Sequence, residues 1–233
     1  MAGVVFKLVL ACALLFTSGA RAQGPDVDTA LVLAIDSSSS VDANEFLLQM
    51  QGLAEAFRDP TVQAGALAGP KRKIAVALME WSNPGWQRVN IPWRVLTSPD
   101  DLEQLAKDIE NAPRLVDGGG TALGNAMEAA ARLFRGNAPT ATRRVIDVSG
   151  DGRSNMGRSV TGARDAITML NVTINGLAIQ NEEADLGSYF EESVIGGSGA
   201  FMIDAKDYED FRRAIRAKLL RELEIPVAYL SVK

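Results

Sequence analysis

Short apolar runs alternate along this chain with longer stretches in which apolar residues recur every three or four positions, and that alternation leaves few folds open. The runs at 30–35, 73–80, 87–96, 144–149, 172–179 and 200–203 read as strands. Helical spacing fills most of the gaps: 42–58 with Phe46, Met50, Leu53 and Phe57 on one face, 98–111 through Leu102, Leu105 and Ile109, and a segment from 121 through Leu123, Met127, Ala130 and Phe134. Further helices are predicted at 159–170, near 186–194, and from 207 to about 224 through Tyr208, Phe211, Ile215 and Leu219, with Pro226 beyond its end. The Ala-, Gly- and Pro-rich stretch 59–70 reads as a loop. Pro92 cannot donate to a ladder, which sends 87–96 to an edge. Such alternation predicts an α/β fold, a doubly wound, mainly parallel six-stranded sheet of order 3-2-1-4-5-6 with helices on both faces. No linker or repeat divides the chain, and 233 residues at 47% hydrophobic suit one globular domain.

In that strand order the first and fourth strands are neighbours where the winding reverses, and ligands bind outside their carboxyl ends. Asp36-Ser37-Ser38-Ser39-Ser40 leaves the first strand there, and Gly150-Asp151-Gly152 leaves the fourth. Side chains of extended backbone alternate faces, so Asp36, Ser38 and Ser40 converge on one side. A third segment, Gly118-Gly119-Gly120-Thr121, puts a hydroxyl at the start of an alanine-rich helix. Carboxylates and hydroxyls without sulfur or imidazole suit a hard divalent cation, magnesium or manganese rather than zinc. Each segment has a blander account: a polar turn capped by Asp42 and Glu45, an N-cap at Thr121, a turn at Asp151. Their coincidence at one crevice favours a site.

The order D-x-S-x-S, Gly-Gly-Thr, then a strand ending in Asp-Gly resembles the metal-ion-dependent adhesion site of von Willebrand factor type A domains, over nearly all of residues 23–233. Glu80-Trp81-Ser82 and Pro92-Trp93 are similar to an uncharacterised bacterial secreted family of unknown function within that superfamily. The resemblance implies Ser38 and Ser40 as direct metal ligands, and Asp36, Asp151 and Thr121 as direct or water-bridged ones. It also implies a partner protein whose Asp or Glu completes the coordination. Ser39 stands where many members carry glycine. Ser39, Asp117, Arg153 and Asn155 are candidate rim residues, with Trp81 and Trp86 as apolar anchors.

Residues 1–22 carry Lys7, an apolar segment from 8 to 16 and Ala20-Arg21-Ala22 before Gln23, the order of a cleaved export signal; the segment is too short for a membrane anchor. Lys7 and Arg21 leave with it, so 24 basic residues fall to 22 against 29 acidic ones, a net charge of −7. The chain's one cysteine, Cys12, leaves too. An exported domain without disulfides tilts towards a bacterial periplasm or exterior. An acidic chain lacking a dense basic patch speaks against nucleic acid. Arg212, Arg213, Arg216 and Arg221 share the last helix with Glu209, Asp210 and Glu222, a pattern that reads as a solvated mixed-charge face. There is no histidine, which removes Ser-His-Asp hydrolysis and histidine-ligated zinc chemistry. The expected function is a secreted, divalent-metal-dependent protein-binding module and not an enzyme. The alternative is a magnesium-dependent phosphate-ester hydrolase with 118–120 as its phosphate loop. A motor-coupled subunit needs cytosolic nucleotide, which an export signal disfavours, and a structural domain would leave the crevice empty.

Overall fold

The structure is a computed structural model, which describes residues 24–223; the predicted export segment, Gln23 and Pro226 lie outside the described residues. Six strands form one sheet: β1 Asp26–Asp36, β2 Ile74–Trp81, β3 Gln87–Leu96, β4 Thr140–Gly150, β5 Thr173–Ile179 and β6 Met202–Ala205. Their spatial order is β3-β2-β1-β4-β5-β6, as expected. All neighbours are parallel except β2 and β3. The β2–β3 register shifts on either side of Leu78, next to Pro92, so the edge strand absorbs its missing donor in an irregularity.

Apolar side chains cover both faces, because a parallel sheet of this kind is sandwiched by helices. Leu31, Leu33 and Ile35 of β1 face a layer made of α1 Ala43–Arg58, α2 Pro60–Ala66, α3 Pro99–Glu110 and α7 Phe211–Leu223. Val32 and Ala34 face the other layer, made of α4 Leu123–Arg132, α5 Val160–Thr168 and α6 Leu186–Tyr189, which continues as a π-helical turn Phe190–Val194. The polar loops at the carboxyl ends of the strands are therefore held over a core packed on both sides.

Several boundaries depart from the sequence reading. Residues 59–70 are not all loop: Asp59 ends α1 and caps α2, accepting from Thr61 and Val62 N–H, with Pro60 at the first helical position. Asp-Pro is a helix-start pair, and the small-residue composition around it hides the signal. The fourth strand begins at Thr140, not 144, because its first residues extend the ladder on Asp26 and Val27 while alternating in exposure. The sixth strand falls at 202–205 instead of 200–203. The last helix begins at Phe211, so Tyr208 lies in the turn before it. Helix α4 begins at Leu123 after Ala122, which places Thr121 ahead of the cap.

Candidate metal site

The apolar ladder of β1 runs straight into Asp36, which is fully buried, and Ser38 beyond it is 1% exposed. Asp36 Oδ1 accepts the Ser38 N–H at 2.8 Å, which turns the chain and sends the next hydroxyl back into the crevice. The Ser38 and Ser40 hydroxyls lie 3.2 Å apart. Ser40 donates to Asp151 Oδ1 at 2.8 Å, across 111 residues of sequence. Four of the five expected residues thus form one connected group. Helix α1 starts immediately afterwards with the expected reciprocal cap between Asp42 and Glu45.

Thr121 joins through its loop. The Gly119 carbonyl accepts the Ser39 N–H at 2.9 Å, fastening the glycine loop to the serine loop. Asn155, on the loop after β4, accepts the Thr121 N–H at 3.0 Å and returns its own N–H to the Thr121 carbonyl at 3.0 Å. From β2's side, Asn83 Oδ1 accepts from Gly120 N–H at 2.7 Å and the Ser82 carbonyl from Ala122 N–H at 3.0 Å. The Gly120 amide of the expected phosphate loop, and those of Thr121 and Ala122 after it, are therefore already engaged, which counts against a phosphate cradle here.

The electrostatics follow from this packing. Asp36 and Asp151 are both buried, and among the described residues neither forms an ion pair. Asp36 Oδ2 has no hydrogen-bond partner, and a Cβ added at Gly150 would stand 3.2 Å from it. Burial pushes the Asp36 carboxyl up to about 7, and the charge of Asp151 adds to the effect. Tyr208 donates to Asp151 Oδ2 at 2.9 Å; burial, then the two carboxylates, drive its phenol well above the ordinary range, so it stays a donor. Among the described residues no group of three or more acidic, histidine or cysteine side chains is placed to hold a metal. What the crevice offers instead is two carboxylates and convergent hydroxyls, an all-oxygen set that fits a small hard cation.

Tyr208 and Asn83 were not among the expected site residues, and Asn155, expected at the rim, also holds the Thr121 loop. Only their spatial position identifies Tyr208 and Asn83, since they act from separate connections. Trp81 is the last residue of β2 and is fully buried, its indole donating to the Ala34 carbonyl, so it cannot serve as a rim anchor. Arg153 is held by Glu183 at 2.9 Å and Asp185 at 2.7 Å over the Tyr189 ring. Ser39, Asn155 and Trp86 are exposed at this end of the molecule, and the Asp117 side chain is 88% exposed.

Residues 26–227 match the model of a family described as "Protein of unknown function (DUF1194)". The chain belongs to this family. No curated protein matches the sequence. Among solved structures, it is similar to proximal thread matrix protein 1 of the mussel byssus with a zinc-occupied MIDAS motif, at TM-score 0.60 and 15% identity, covering 87% of this chain and 49% of that one. It is similar to a von Willebrand factor type A protein of Catenulispora acidiphila, at TM-score 0.57 and 18% identity, over 84% and 43% of the two chains. A pilus adhesin, SpaC of Lactobacillus rhamnosus GG, matches at TM-score 0.61 and 12% identity, over 86% and 31%. The chain thus spans half or less of these proteins. The fold of this family member is that of a von Willebrand factor type A domain.

Proposed function

We propose that this protein is an exported protein-binding module whose crevice takes a divalent cation, magnesium or manganese, held by Asp36, Ser38, Ser40, Thr121 and Asp151. The observation that carries the reading is the pair of buried carboxylates, one with an orphaned oxygen, that no cationic side chain among the described residues neutralises. Leaving charge so buried is costly unless it is paired. The fold relationship to a byssus protein with a zinc-occupied motif and to a pilus adhesin supports it.

When bound, the cation supplies an open coordination position for an Asp or Glu of a partner protein. The chain's own residues do the rest. Ser40 and Tyr208 each grip one oxygen of Asp151 and fix its plane. Asn155 and Asn83 hold the glycine loop so that Thr121 stays beside the serine loop. Export follows from the first 22 residues, with Gln23 as the mature terminus and the periplasm or exterior as destination. No helix among the described residues is long and apolar enough to cross a membrane.

The test is thermal unfolding with and without millimolar magnesium. A ligand that binds only the folded state raises its melting temperature. Wild type is expected to gain, and Asp151→Ala and Ser38→Ala to fold without gaining. Equal gains in all three would refute the site.

A further inference from the structure

We infer that Arg114 is the positioning residue that makes the crevice select a small cation, magnesium or manganese, over calcium, by holding the serine loop at a fixed span. The inference rests on the metal-dependent reading above and adds what sets the choice of ion.

Selection between these ions depends on how far the ligands can move. Magnesium requires near-octahedral oxygens at about 2.1 Å, whereas calcium takes more oxygens at about 2.3–2.6 Å and settles in sites whose ligands can spread. Adjacent corners of the smaller octahedron stand about 3 Å apart. The Ser38 and Ser40 hydroxyls stand at 3.2 Å, and the Ser40 hydroxyl lies 2.8 Å from Asp151 Oδ1. A loop held at these spacings suits the smaller ion, and a loop free to widen admits the larger.

The Arg114 guanidinium reaches both ends of this loop at once. Its Nη2 donates to the Ser37 carbonyl at 3.1 Å and to the Val41 carbonyl at 2.9 Å, bracketing Ser38, Ser39 and Ser40. Nε donates to the Ser37 hydroxyl at 3.2 Å and to the Val116 carbonyl at 2.8 Å, which fixes the group against its own loop. The guanidinium also lies over the Phe46 ring of α1, 5.4 Å from its centre, and the side chain is 15% exposed. A planar fork of donors can span two carbonyls in this way; an ammonium, a point charge on a flexible stem, cannot hold the same span.

A fixed positive charge beside a metal crevice would oppose the ion, and the chain offsets it. Glu80 of β2, fully buried, accepts the Ser37 hydroxyl at 3.2 Å, the same hydroxyl that accepts from Arg114 Nε. Glu80 also accepts the N–H groups of Leu115 and Val116 at 3.0 and 2.8 Å, so it holds the loop that carries Arg114. Guanidinium, hydroxyl and carboxylate thus form a run without net charge. The Arg114 bonds to the serine loop fall on the Ser37 and Val41 carbonyls and the Ser37 hydroxyl, and none falls on the side chain of a proposed ligand. Its effect on the ion therefore passes through the backbone of the serine loop, whose ordering is complete before the ion arrives.

The experiment is isothermal titration of the purified protein with magnesium and with calcium, on wild type, Arg114→Lys and Arg114→Gln, with amide hydrogen exchange of residues 37–41 in chelator. Wild type is expected to bind magnesium at least tenfold more tightly than calcium. Both variants should lose at least tenfold for magnesium and less than threefold for calcium, and their Ser38 and Ser39 amides should exchange at least tenfold faster than in wild type. Arg114→Lys keeps the charge and the stem, so it reads loss of span alone and serves if Arg114→Gln does not fold. Equal losses for both ions would make Arg114 a part of the fold only and overturn the inference, as would an unchanged preference in both variants. A wild type that binds calcium as tightly as magnesium would overturn the selectivity and leave the metal site standing. Binding of neither ion by wild type would remove the metal reading and this inference with it.

Discussion

Strand β4 carries one buried aspartate, Asp147, and ends immediately before another, Asp151, and the chain treats the two in opposite ways. Asp147 meets Lys218 of α7, whose ammonium also reaches Glu222, both at 2.6 Å, with all three side chains out of solvent. Asn175 of β5 donates to Glu222 at 3.0 Å and accepts from Phe201 N–H. Asp151 and its neighbour Asp36 are as deeply buried, yet receive only hydroxyls and amides. Burial makes an unpaired charge costly in either place. Where the charge serves the core, the helix packed above supplies its own cation; where it faces the strand ends, nothing in the described chain does. The contrast favours a cation drawn from solvent at the second place.

Breaking the first arrangement should have the largest effect. Lys218→Met keeps the aliphatic packing and strands two carboxylates in the core, an expected loss of roughly 3–5 kcal/mol of stability. Urea unfolding measures it, and a loss under 1 kcal/mol would mean that the ammonium is not what holds the pair. The corresponding change in the crevice should act in the opposite direction. Asp36→Asn retains an acceptor for Ser38 N–H and removes a charge, so in chelator it should leave the protein as stable as wild type or more so. Its cost should appear only in saturating magnesium, as an absent gain of about 2.7 kcal/mol at a hundredfold excess over Kd. A destabilised Asp36→Asn in chelator would erase the distinction between the two sites.

How much of this contrast the sequence reveals differs between the two halves. Asp36, Ser38, Ser40, Thr121 and Asp151 are legible because the crevice is built from local signals at strand exits, and the strand order then brings them together. The Lys218 cluster is illegible. Its members sit on β4, β5 and α7, and Glu222, which reads as part of a solvated face with the nearby arginines, is fully buried. The arginines do point outward, Arg212 to Glu55 and Arg216 to Asp59, but a one-turn pattern of mixed charge cannot say which acid turns inward. Tyr208 is missed for a related reason: helical spacing assigns it to the apolar face of α7, whereas it stands before the helix and reaches Asp151 57 residues away.

The cluster is short of one positive charge, and its pH dependence should show this. Burial, then the charge of Glu222, push Asp147 up to about 7, with Lys218 pulling the other way. Because this folded pKa lies above the unfolded value of 3.8, the native state holds more protons between these limits. The resulting stability is fully present below the unfolded value and is lost as pH rises towards 7. Asp36 contributes a slope of the same sign, so the quantity to measure is the difference between wild type and Asp147→Asn, in which Asp36 cancels. The wild-type curve should fall more steeply across this window, and parallel curves would show that Asp147 stays ionised beside Lys218.

The smallest expected effect separates positioning from packing inside the crevice itself. Tyr208 is 3% exposed and its ring packs in the core layer beneath α1 and α7, while its hydroxyl alone touches Asp151. Tyr208→Phe keeps the ring and deletes the hydroxyl, which leaves one Asp151 oxygen without its donor and the carboxylate free to rotate about the Ser40 contact. Residues that orient a metal ligand through its second oxygen typically weaken metal binding by about tenfold when removed. The Kd for magnesium should therefore rise by roughly that factor, close to 1.4 kcal/mol, with little change in unfolding measured in chelator. Isothermal titration in magnesium and urea unfolding in chelator read the two quantities separately. An unchanged Kd would mean that Ser40 alone sets Asp151, and an equal loss in chelator would mean that the hydroxyl serves the fold and not the cation.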